Sequence, residues 1–160
     1  VHVLLATDAD WVVDEVTSAL GGPDTSFTLC RDGRTVTAAV TERLPDLAVL
    51  DLQSGSMGAM AVAMNLRLDE SGGRLEHIPV LMLLDRRADV HLARRSGAEG
   101  WLIKPLDALR LRRAAEAVAA GETYAEGLPA APGAGAEAGE APAVAADDAE
   151  APDGAPAASG

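Results

Sequence analysis

Cysteine is almost absent from this chain: Cys30 is the only one in 160 residues. A lone cysteine cannot close an internal disulfide, and no metal-type cysteine spacing exists, so a reducing cytoplasm is the expected setting. Long apolar runs are missing as well. No stretch approaches the roughly 18 to 20 residues that a membrane span requires. A strand pattern begins at once, so no signal peptide is expected. Positive charge is scarce: 13 Lys and Arg stand against 25 Asp and Glu, a formal net charge of −12. Such a balance argues against general affinity for nucleic acid, whose phosphates would be repelled. No internal repeat is apparent.

What the chain does contain changes sharply near Gly127. From Leu128 to Gly160 it is almost entirely Ala, Gly, Pro, Asp and Glu, without Lys, Arg or any aromatic residue. Glu137, Glu140, Asp147, Asp148, Glu150 and Asp153 carry half of the net negative charge. A segment with so little to bury cannot offset the entropy of ordering. We therefore expect a folded domain over residues 1–122 and a disordered acidic tail over 123–160. That tail offers no second core and no surface for DNA.

The folded part alternates between short apolar runs and helical spacing. Strands are predicted at Val3–Ala6, Ser26–Cys30, Leu47–Leu50, Pro79–Leu84 and Glu99–Ile103. Helical periodicity covers 10–20, 34–43, 57–68, 85–96 and 107–120, with Met60, Met64 and Leu68 on one stripe and Met57, Met60 and Met64 read as core rather than a binding groove. Alternation of this kind implies a three-layer, doubly wound parallel sheet of five strands. The unbroken apolar strands agree, because a strand buried on both faces shows no alternation. In such sheets ligands collect at the carboxyl ends of the strands, where strand order reverses. Asp8, Asp51, Leu84 and Lys104 all fall at such ends. Two acids and a lysine from three elements suggest one electrostatic site.

These residues resemble the receiver domain of bacterial two-component response regulators, the flavodoxin/CheY-like fold with strand order 2-1-3-4-5. The resemblance covers about residues 1–122. Pro45-Asp46-Leu47-Ala48-Val49-Leu50-Asp51-Leu52 is similar to the phospho-acceptor strand. Ser96-Gly97-Ala98-Glu99-Gly100-Trp101-Leu102-Ile103-Lys104-Pro105 is similar to the fifth-strand signature, and Ile78-Pro79-Val80-Leu81-Met82-Leu83 to the fourth strand. The resemblance implies a phosphorelay protein rather than an enzyme. Asp51 would accept a phosphoryl group from a sensor histidine kinase or another phosphodonor. Mg²⁺ would be held by Asp8, Asp51 and the backbone carbonyl of Gln53. Lys104 would bind a phosphoryl oxygen, and the bond to Pro105 would be cis. Signalling would run through protein contacts of the fourth and fifth helices, with a downstream protein or a second copy. Direct DNA or membrane binding is not implied.

Several positions depart from the pattern. Thr7 replaces the first of two acids, which weakens the expected hold on Mg²⁺. Asp10 is expected to cap the first helix instead. Leu84 stands where a hydroxyl residue is usual, and Trp101 occupies the aromatic switch position, where a large indole would have difficulty swinging inward. Ser54-Gly55 suggests a mobile loop after Asp51. Thr7, Leu84 and Trp101 thus favour an alternative, a degenerate receiver that serves as a phosphorylation-independent interaction module. A flavodoxin-like cofactor enzyme is poorly supported, since the acidic loop Thr7-Asp8-Ala9-Asp10-Trp11 would repel a cofactor phosphate. His2, His77 and His91 lie on separate elements without ligand spacing. Arg86, Arg87, Arg94, Arg95, Arg110, Arg112 and Arg113 would make the fourth and fifth helices a basic face, over which the acidic tail could fold.

Overall fold

A computed structural model describes residues 1–53 and 58–127. Each predicted strand forms. β1 (His2–Ala6), β2 (Ser26–Cys30), β3 (Leu47–Asp51), β4 (Val80–Leu84) and β5 (Gly100–Ile103) alternate with α1 (Asp10–Leu20), α2 (Val36–Glu42), α3 (Ala59–Ser71), α4 (Val90–Ser96) and α5 (Ala108–Ala119). All strand pairs are parallel, in the order β2-β1-β3-β4-β5-β6. The sixth strand, β6 (Tyr124–Ala125), pairs with β5. It was not expected, because two residues carry no periodicity. Residues 123–127, assigned from composition to the tail, therefore belong in part to the sheet. The remainder of the expected tail, from residue 128, lies outside the described residues.

The inner strands β1, β3, β4 and β5 read as largely apolar runs because both faces are covered, while the edge strand β2 is mostly half-buried. Within β1, Leu4 and Ala6 enter a core with α2, α3 and α4, while Val3 and Leu5 enter a second core with α1 and α5. The same division splits β3 and β4: Leu50, Met82 and Leu84 face one way, Val49, Leu81 and Leu83 the other. Fully burying each such side chain contributes about 1.5–3 kcal/mol.

Four helices depart from the expectation. The buried stripe of α3 is Ala59, Val62, Ala63 and Leu66, whereas Met64 is 49% and Leu68 62% exposed. The small alanines let this helix lie close to the sheet, and the bulkier Met and Leu stripe turns outward; Met57 falls outside the described residues. The segments before α2 and α4 are short 3₁₀ turns, Gly33–Thr35 and Arg87–Asp89. Asp10 is not a cap: Ala9 precedes α1 without a side-chain bond, and Asp10 pairs with Arg31 at 2.7 Å.

Candidate functional site

The site is assembled where four strands end. β3 ends on Asp51, whose side chain is buried although its residue closes the strand. An isolated carboxylate there would carry a large desolvation cost, so its partners matter. Lys104, the residue after β5, whose backbone N–H donates to the Leu84 carbonyl at 2.8 Å, donates from Nζ to Asp51 Oδ1 at 2.6 Å. Thr7, just beyond β1 and fully buried, donates from Oγ1 to Asp51 Oδ2 at 2.8 Å. The backbone N–H of Gln53 adds a longer contact to Oδ1 at 3.4 Å. Both oxygens of Asp51 are therefore engaged by donors.

Lys104 has a second carboxylate. It donates to Asp85 Oδ1 at 3.0 Å, while the other oxygen, Asp85 Oδ2, is buried without a hydrogen-bond partner. Asp85 follows β4 directly and was missed in the sequence, where attention fell on Leu84 as the last strand position. Its signal was available: a carboxylate next to a strand end at the same edge as Asp51. Above the ammonium lies the Trp11 ring, its centroid 5.3 Å from Nζ, a cation–π distance. Burial opposes the charge of Lys104, yet the bonds to Asp51 and Asp85 outweigh it and hold the ammonium above its ordinary range. Lys104 is also the only lysine in the sequence. The Lys104–Pro105 peptide bond is cis.

Asp8 is exposed, and Asp51 already satisfies both oxygens with Thr7, Gln53 and Lys104. Among the described residues no group of three His, Cys, Asp or Glu side chains could hold a metal ion. Lys104 meets one of the two negative charges of Asp51 and Asp85, and Asp85 Oδ2 is left without a hydrogen-bond partner. The loop positions Ser54 and Gly55 lie outside the described residues.

Leu84 and Trp101 sit in the same buried core between the sheet and α4. Trp101 is only 4% exposed, and its Nε1–H donates to the carbonyl of Glu126 at 2.8 Å. The indole lies inward, in the same core cluster as Ala93, with residues 124–127 alongside β5. The arginines expected to form one basic face are divided. Arg112 donates to the carbonyl of Ala19 on α1, Arg86 pairs with Asp89, and Arg110 pairs with Glu126.

Fold and site together define a CheY-like receiver fold, with strand order β2-β1-β3-β4-β5 and a lysine–aspartate pair at the carboxyl edge. The comparisons with known proteins agree on that fold. The receiver domain of NtrX from Brucella abortus is 24% identical with a TM-score of 0.63, over 74% of this chain and 98% of that one. The chemotaxis response regulator CheY4 of Vibrio cholerae is 22% identical with a TM-score of 0.65, over 73% and 97%. In sequence, the DNA-binding response regulator MtrA of Mycobacterium tuberculosis is 30% identical over 106 residues, 65% of this chain and 44% of that protein. The response regulator PleD of Caulobacter vibrioides is 35% identical over 82 residues, 50% of this chain and 17% of that protein. The chain therefore spans less than half the length of these curated relatives. No family model matches it.

Proposed function

We propose that this chain is a receiver-type signalling module that acts through protein contacts, and that its Asp51 cluster fixes the domain in one conformation without phosphate. One observation carries the reading. Asp51 is saturated from both sides, by the Thr7 hydroxyl at 2.8 Å and the Lys104 ammonium at 2.6 Å. A carboxylate so held serves as the keystone of three strand ends. Leu84 supplies no hydroxyl to follow a phosphoryl group, and Trp101 is already inward.

A second reading keeps Asp51 as a phosphoryl acceptor, and the Lys104 pair favours it. An oxygen of Asp51 would attack the phosphorus of a phosphohistidine or small acyl phosphate. The donor's bond to phosphorus would break, the leaving group would take the bonding pair, and Lys104 would neutralise a phosphoryl oxygen. In that case a sensor kinase is a partner, the setting is cytoplasmic, and the output partner is a protein.

Acetyl phosphate with 10 mM Mg²⁺ (a concentration on the order of those used to saturate weak oxygen-ligand sites) separates the two. Intact mass spectrometry is expected to show no phosphoryl adduct, and Trp11 emission no change with beryllium fluoride. An adduct that disappears in Asp51→Asn would sink the first reading and establish the second.

A further inference from the structure

Lys104 is shared by two carboxylates of unequal depth. The side chain of Asp51 is 2% exposed, that of Lys104 10% and that of Asp85 32%. Asp85 is thus the outermost of the three, and it joins the cluster through Oδ1, 3.0 Å from Lys104 Nζ. No local backbone bond explains its position. The 3₁₀ turn Arg87–Asp89 that follows takes no side-chain cap, and the neighbouring Arg86 pairs with Asp89 instead. The other oxygen, Oδ2, is withdrawn from water without a partner among the described residues. Burying a bare carboxylate oxygen is unfavourable, so the contact with Lys104 is what holds this side chain where it is.

An ammonium has three donors. On Lys104 one goes to Asp51 and one to Asp85, while the exposed Trp11 ring lies over the charge at 5.3 Å. Two carboxylates and one ammonium leave the cluster with a net negative charge. An anion that approaches from solvent therefore meets a repulsive field and a cation already covered on its open side. Asp85 Oδ1 stands at 3.0 Å from Nζ, within the range at which an oxygen of a tetrahedral oxyanion would bond an ammonium.

We propose that Asp85 is an internal competitor for oxyanions. Its carboxylate occupies the place beside Lys104 that an oxygen of phosphate or of a phosphoryl group would take, and keeps such groups away from Asp51. Asp85 is a positioning residue: it acts through Lys104 and touches no reacting atom. This role rests on the Asp51–Lys104 cluster of the proposed function and supplies a cause for it, since an anion carried by the chain itself holds the site closed. It also gives the site a latent specificity, for tetrahedral oxyanions, that appears once the Asp85 charge is removed.

Inorganic phosphate is the probe, titrated by calorimetry into Asp85→Asn and into the unaltered chain, with Trp11 emission as the local readout. Asparagine keeps the shape and removes the charge, and Lys104 retains Asp51 as its partner. Asp85→Asn should bind phosphate more tightly by about tenfold or more. Its Trp11 emission should change with phosphate and not with sodium chloride of equal ionic strength. Asp85→Glu, which restores a carboxylate, should abolish the gain. Equal phosphate affinity in Asp85→Asn and the unaltered chain, or a gain that Asp85→Glu keeps, would overturn the proposal. Where Asp85→Asn does not fold, Asp85→Ser takes its place. The unaltered chain is a test of its own: a Trp11 response to phosphate beyond that to sodium chloride would show Lys104 open to anions and would likewise overturn it. A phosphoryl adduct on the unaltered chain would instead overturn the first reading of the proposed function, whereas the role of Asp85 fails on phosphate binding alone.

Discussion

At the scale of single residues, the strongest constraint is how one ammonium serves two carboxylates. Lys104 reaches Asp51 and Asp85 together, and Thr7 takes the remaining oxygen of Asp51. Removing one partner of a buried pair leaves the other charge uncompensated and costs about 3–5 kcal/mol. Lys104→Met is therefore expected to lower unfolding stability by about 3 kcal/mol. In an Asp51→Asn background the same substitution should cost less than about half of that, since less stranded charge remains. Urea unfolding of the four proteins in the cycle measures the difference, and additive losses would show that the pair is not coupled. The sequence revealed Asp51 and Lys104 because each closes an apolar strand. It did not reveal Asp85 as their neighbour. One residue beyond a strand end, a side chain can point into the site or away from it, and apolar periodicity says nothing about which.

Elements were legible to the extent that burial writes itself into pattern. The inner strands β1, β3, β4 and β5 are largely apolar because each is covered on two faces, whereas the edge strand β2, with Ser26 and Thr28, is mostly half-buried. The helix α3 shows where that fails. Ala59, Val62, Ala63 and Leu66 follow helical spacing, and so do Met60, Met64 and Leu68. Hydrophobicity favoured the second stripe, but close approach to the sheet selected the first. Close approach also decides the junction of α5 with β5. A Cβ on Gly100 would lie 2.5 Å from Val118 Cγ2 and 3.1 Å from the Tyr124 carbonyl oxygen. Gly100→Ala must push α5 or β6 outward, and overpacking of this kind costs about 1–3 kcal/mol. A lower urea midpoint with an unchanged m-value is the expected result. A midpoint equal to that of the parent would mean that the two elements yield freely.

For the molecule as a whole, the titrating groups set both ends of the stability curve. Glu70 and Glu126 are buried enough to resist ionisation. Their bonds to the Ile78 N–H, His77 and Arg67, and to Arg110 and the Ile103 N–H, nevertheless hold both below the ordinary carboxylate range. A depressed carboxylate contributes stability that is present above its unfolded value, about 4.3, and lost as pH falls through the folded one. His2 is held towards its neutral form by burial first and by Arg43 second. It adds a smaller loss that starts near the ordinary histidine value of about 6.5. Lys104 acts at the other end. Its raised value gives stability that is complete below about 10.4 and fades as pH rises through the folded value. Burial raises the Cys30 thiol, which adds an earlier alkaline loss from its ordinary value of about 8.5, so stability should be level only between about pH 7 and 8 and fall on both sides. Glu126→Gln should make the acid limb shallower, and Lys104→Met the alkaline one. Unfolding midpoints across pH test both, and an unaltered slope in either variant would contradict its assignment. One further consequence concerns reagents rather than stability. No other side chain carries a primary amine, so apart from the chain's terminal amine, amine-directed acylation has a single target here. That target is screened by an indole and two carboxylates, and the speed of its labelling becomes a clock for how often the strand ends part.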